Sequence, residues 1–166
     1  MDRWRGRTGG LTIAAALVVL LGAGADAGSR APALVARGSD GTALARVELP
    51  PDRGFALRYR NSLYGSLVEE RFVVTADGRL RLVGLAADEL AVLEEYYAID
   101  HPAFRPPLGV PRAWQAEPPL TVEEDAILIA ATDLGERTLL VGGAPPLELW
   151  RLVDDAAPSV WLEVDR

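Results

Sequence analysis

The sequence predicts one all-β domain, a small antiparallel sandwich or open barrel, behind an N-terminal signal or anchor helix that lies outside the fold. Three observations predict it. Apolar residues recur with a period of two in short runs, the mark of strands with one buried face. Asp77-Gly78 separates two such runs and is a strong hairpin signal. Further short runs follow at regular spacing, divided by Gly, Pro and Asp, as in sandwiches and barrels. The 166 residues suit a single domain once a leader is set aside.

The leader occupies residues 1–27. Arg3, Arg5 and Arg7 precede an uncharged run, LTIAAALVVLL, at 11–21. Small residues then offer cleavage sites at Ala23-Gly24-Ala25 and Ala25-Asp26-Ala27. The same stretch, extended over residues 9–25, approaches the length of a membrane anchor. Both readings place the remainder in an extracytoplasmic compartment, secreted or anchored, touching the membrane only through this segment.

Residues 28–40 form a linker and first strand, and 41–166 the all-β domain. Residues 43–49 are a strand stopped by Pro50-Pro51. Residues 55–61 alternate, with Phe55, Leu57, Tyr59 and Asn61 on one face and Ala56, Arg58 and Arg60 on the other. Residues 67–75 put Val68, Glu70, Phe72 and Val74 together, and Asp77-Gly78 leads into a strand over 79–85. These three strands form an antiparallel meander. Residues 86–99 suit either a helix, capped by Asp88 and presenting Leu90, Leu93 and Tyr97, or a strand through Tyr96, Tyr97 and Ile99. Residues 101–119 hold six of the twelve prolines and read as a long loop, since Pro cannot donate to a ladder. Strands over 126–131, 138–141, 147–153 and 160–164 complete the domain.

Composition excludes several chemistries. All 17 basic residues are Arg, so no Lys is present to form a Schiff base. Cys is absent and His101 is the sole histidine, which removes thiol nucleophiles and histidine metal clusters. The net charge is −7, and more negative still without the Arg-rich leader. Such a surface repels nucleic acid. No catalytic motif, cofactor motif or metal site emerges. His101 would have to serve any serine triad, yet no nucleophile elbow exists. Glu94-Glu95 would point to opposite faces of a strand, unlike a glycosidase pair across a cleft. Glu123-Glu124-Asp125 lacks calcium-loop spacing.

Asn61 and Glu70 are the most informative pair. Alternation sets both on apolar faces, and a hairpin through 62–66 brings them near each other, with Tyr59 opposite Glu70 in one register. A carboxylate on a core face needs a partner or a proton. Tyr59, Asn61, Glu70 and Arg137 thus form either a polar pocket for a solute or partner, or a satisfied structural network. Phe104, Leu108 and Trp114, on the Pro-stiffened loop, suit either a partner surface or a lid over the core.

The run Phe55-Ala-Leu-Arg-Tyr-Arg-Asn-Ser-Leu63, with Val68-Glu-Glu-Arg-Phe72 and Asp77-Gly-Arg-Leu-Arg-Leu82, resembles domain of unknown function family 1850. Asn61, Ser62, Glu70 and Phe72 fall on that family's motif positions, Asn61 standing where the family has His. Arg137 stands at a second His position, and 137–164 is similar to the closing strands. The resemblance implies an uncharacterised exported accessory of a tripartite ATP-independent periplasmic (TRAP) transporter of the TAXI type. The implied partners are its permease or solute-binding protein, with Ser62 added to the candidate residues. The alternative is a free extracytoplasmic module that binds a small ligand in a polar pocket near Glu70.

Overall fold

The computed structural model describes residues 31–100 and 112–165. The leader, and His101, Phe104 and Leu108 of the proline-rich loop, lie outside the described residues. Among the described residues no helix is long and apolar enough to cross a membrane.

Eleven strands form the fold among these residues: β1 (Ala33–Gly38), β2 (Ala43–Glu48), β3 (Gly54–Arg60), β4 (Leu67–Val74), β5 (Leu80–Ala87), β6 (Trp114–Ala116), β7 (Glu123–Glu124), β8 (Ala126–Ala130), β9 (Thr138–Val141), β10 (Leu147–Glu148) and β11 (Ser159–Asp165). They make two antiparallel sheets with no closed barrel, an all-β sandwich as the sequence predicts. The small sheet runs β2-β1-β11-β8 and the large one β10-β9-β3-β4-β5-β6, with β7 also on β5.

Alternation explains the core. Phe55 and Leu57 of β3, Phe72 and Val74 of β4, and Leu139 and Val141 of β9 face inward. They meet Leu34, Ile129, Val160 and Leu162 of the small sheet. Phe55 and Phe72 are direct cross-strand partners, their rings stacked at 5.1 Å. A second cluster lies farther along β3–β5, where Tyr59, Val68, Leu85 and Ala87 pack against Val92, Leu93 and Ile99. Val92 and Leu93 belong to a single π-helical turn, Val92–Tyr96.

Strand β1 lies inside the small sheet between β2 and β11 and is buried on both faces. Outward-facing Val35 lies between its cross-strand neighbours Arg46 and Glu163, whose aliphatic stems are suited to cover it. Their charged ends are tied across the sheet surface, Arg37 to Glu163 at 2.6 Å and Arg46 to Asp165 at 2.9 Å.

The β3–β4–β5 meander stands as the sequence predicts, but its first register is tighter by two residues. Tyr59 pairs with Val68, and Glu70 with Leu57, not with Tyr59. The cause is local. Asn61 Oδ1 accepts from the backbone N–H groups of Leu63 at 3.0 Å and Tyr64 at 3.2 Å. Gly65 turns the chain at φ +64°, and Asn61 N–H reaches Ser66 O at 2.9 Å. A short side-chain-templated turn therefore replaces a wider loop.

Three further stretches differ in detail. Residues 86–99 combine both expectations: β5 runs to Ala87 and one helical turn follows. Asp88 does not cap that turn but accepts the backbone N–H of Arg112. Within the proline-rich stretch, Trp114–Ala116 is not loop but an edge strand on β5, the one place in a sheet where flanking prolines are tolerated. The run 147–153 is strand only at Leu147–Glu148. It then winds into a 3-10 turn, Leu149–Arg151, which drives Leu149 fully into the core.

Candidate functional site

Four side chains from four elements form a closed ring at the junction of the two apolar clusters. Glu70 projects from the core face of β4, Tyr59 from β3, Arg137 from just before β9, and Tyr97 from the end of the π-helical turn. Tyr97 donates its hydroxyl proton to Glu70 Oε1 at 2.6 Å. The Tyr59 and Tyr97 hydroxyls are 2.6 Å apart. A phenol has one proton, so with Tyr97 committed to Glu70, Tyr59 is the donor to Tyr97. The Arg137 guanidinium lies 4.1 Å from the centre of the Tyr59 ring, and its Nη1 is 4.0 Å from Glu70 Oε2. The ring is thus Tyr59 to Tyr97 to Glu70 to Arg137 and back over the face of Tyr59, a cation–π contact.

Burial and the Glu70 charge push the ionisation of both Tyr97 and Tyr59 well above the usual phenol range. For Tyr59 the Arg137 charge opposes this only in part. Both phenols are therefore neutral donors at physiological pH, suited to holding a carboxylate in place.

Arg137 is fixed through its backbone, whose carbonyl accepts from Leu149 N–H at 2.9 Å. Its side chain is only 21 % exposed, and 4.0 Å to Glu70 is beyond hydrogen-bonding reach. No described residue accepts a hydrogen bond from its guanidinium. Among the described residues its five N–H donors are therefore without a hydrogen-bond acceptor, beside a cleft.

The cleft has a volume of about 170 Å³ and opens between the ends of the two sheets. Its lining includes Tyr59, Arg60, Asn61, Ser62, Tyr96 and Arg137, together with Ala130, Thr132 and Leu134 from the end of β8 and the loop after it. It is smaller than the ~300 Å³ at which drug-sized pockets begin, so it suits a group of few heavy atoms. Exposed apolar side chains, Tyr96 and Leu134, stand in its wall.

The structure brings Tyr59, Asn61, Ser62 and Arg137 together at the cleft and sets Glu70 behind Arg137. Asn61 is 4 % exposed, and its carbonyl oxygen is spent on the hairpin turn, so it shapes the wall without joining the ring. Trp114 lies apart, paired with Ala87 and packed on the second cluster. Sequence reasoning did not single out Tyr97, Thr132 or Leu134 for the site. The helical spacing of Leu90, Leu93 and Tyr97 was the available signal for Tyr97, and nothing in the sequence marked the other two. Among the described residues no group of three or more His, Cys, Asp or Glu is placed to hold a metal ion. Comparison with known proteins finds no matching family model, no matching curated protein and no matching solved structure.

Proposed function

We propose that this domain is a non-catalytic recognition module whose cleft takes a small carboxylate-bearing solute. One observation carries the reading: Arg137, nearly enclosed and held by Glu70 and Tyr59, presents unfilled N–H donors to a preformed cleft. A guanidinium fork matches a carboxylate in shape and charge. Ser62 and Thr132 add hydroxyls, while Tyr96 and Leu134 provide an apolar margin for a short aliphatic body. The test is thermal unfolding of the full-length chain against a panel of short monocarboxylates. A saturable rise in melting temperature that disappears in Arg137→Gln supports the proposal. A flat response across the panel, with the fold intact, removes it.

The leader and the resemblance to family 1850 favour a cellular setting for this recognition. In that setting the chain is an extracytoplasmic accessory of a TAXI-type tripartite ATP-independent periplasmic transporter. Affinity capture of the tagged full-length chain from gently solubilised native membranes addresses it. Co-purification of a permease or its solute-binding protein is the expected result, and capture without either counts against the setting.

A further inference from the structure

The outward face of the large sheet carries a second cleft, of about 370 Å³, on the side of β3 opposite the Tyr59 ring. Strand alternation builds it. Arg58 and Arg60 point away from Leu57 and Tyr59, and Arg58 faces Thr138 across β9, which in turn faces Glu148 on β10. Leu67 and Trp150 supply its apolar walls, and Arg151 closes it.

Arg58 is half-buried, and no described residue gives its guanidinium a hydrogen bond or an ion pair. The reason lies in its neighbours. Glu69, the carboxylate directly across from it on β4, is taken by Arg71 at 3.0 Å and Arg112 at 3.4 Å. The other two arginines of the cleft are committed. Arg60 donates to Gly65 O at 2.9 Å and pairs with Glu136 at 3.4 Å. Arg151 pairs with Glu148 at 2.8 Å and lies 4.7 Å from the centre of the Trp150 ring. Three guanidinium groups therefore meet two carboxylates, Glu136 and Glu148. The cleft is locally positive on a chain whose net charge is −7.

We infer that this cleft binds a small oxyanion, a carboxylate or a phosphate, with Arg58 as the bidentate ligand. A partly desolvated guanidinium without a counter-ion is costly, and an oxyanion satisfies it through two parallel N–H bonds. Arg60 and Arg151, each already paired with a carboxylate, contribute field. The volume lies at the low end of small-molecule pockets and leaves room for a short organic body against Leu67 and Trp150. The site lies across the β3 backbone from the Arg137 cleft, and its proposed ligand, Arg58, does not line that cleft. Arg60 touches both and is therefore left unchanged in the test.

The experiment is calorimetric titration of the full-length chain, at low ionic strength, with inorganic phosphate and separately with succinate. Saturable binding of at least one is expected, and the stronger of the two names the chemical source. Arg58→Gln should weaken it about tenfold or more, and Arg58→Lys, which keeps the charge but loses the fork, by a smaller factor. Arg137→Gln should leave unchanged the binding component that Arg58→Gln weakens, which separates this site from the carboxylate cleft. The inference is overturned by absence of saturable binding to either anion, by equal binding in Arg58→Gln, or by equal loss in Arg137→Gln. Binding as tight in Arg58→Lys as in the native chain also overturns it, since general attraction would then suffice. Arg58 faces outward, so both of its variants should keep the native far-ultraviolet spectrum. Should Arg58→Gln not fold, Arg58→Lys decides.

Discussion

Tyr97 gives its hydroxyl proton to Glu70 across 2.6 Å, joining a one-turn helix to the core face of a central strand. Glu70 lies on β4 between Val68 of one apolar cluster and Phe72 of the other. A carboxylate there interrupts what would otherwise be one continuous core. The phenol and the guanidinium on either side of it make that interruption tolerable.

Glu70→Leu should therefore destabilise the domain by about 1–3 kcal/mol despite adding apolar surface, because it leaves the Tyr59–Tyr97 pair with one hydroxyl proton unaccepted and strips Arg137 of its carboxylate. Glu70→Gln keeps an acceptor for Tyr97 and should cost less. Urea unfolding monitored by circular dichroism ranks the two. A more stable Glu70→Leu would mean that the ring contributes nothing net to folding.

The two elevated phenols predict an alkaline limit to stability. Tyr59 and Tyr97 ionise in the unfolded chain near the ordinary value of about 10, but well above it when folded. The folded state then binds more protons, so stability is unaffected below about pH 10 and falls as pH rises beyond it. Ultraviolet titration should show these phenolates appearing together with loss of the near-ultraviolet spectrum. Tyr97→Phe should make the alkaline decline shallower. An unchanged slope in that variant would contradict the assignment.

Phe72→Ala removes one partner of the stacked pair in the main core and should cost about 3–5 kcal/mol. Chemical denaturation measures it, and a loss below about 1 kcal/mol would place Phe72 outside the cooperative core.

Glu163→Ala breaks a 2.6 Å ion pair with Arg37, yet both side chains are more than a third exposed. The expected cost is below about 1 kcal/mol and shrinks with added salt. A larger loss in the same denaturation assay would show that the Glu163 stem, lying beside Val35, matters more than its charge.

Much of the fold was legible because burial on one face imposes a period of two. Phe55, Leu57 and Tyr59 declared β3, and Asp77-Gly78 declared the hairpin to β5. Short edge elements were harder to read. Trp114–Ala116 and Glu123–Glu124 exist through pairing with β5, and two or three residues carry no period of their own. At the site, Glu70 stood out because a carboxylate on an apolar face is anomalous, Tyr59 as its expected cross-strand neighbour, and Arg137 through the family resemblance. Their geometry did not, since a side-chain-templated turn at Asn61 shifted the register by two. Arg58 gave no sign at all. An arginine on an outward face looks ordinary until its cross-strand glutamate proves to be engaged elsewhere.

The pairing of β1 with β11 sets an order of events in time. Arg37 and Glu163 are neighbours in space yet 126 positions apart in sequence, so their closure is entropically late. The β3–β4–β5 meander needs only contacts near in sequence and is free to form early. Leu34 and Ala36 must wait for Val160 and Leu162 before their inner faces are covered. During synthesis the β1–β2 hairpin can close locally, but the other edge of β1 stays open until nearly the whole domain has been made. Pulse-labelled hydrogen exchange should find the amides of β3–β5 protected early and those that join β1 to β11 last. The last step of folding, on this account, is the insertion of β11 beside β1.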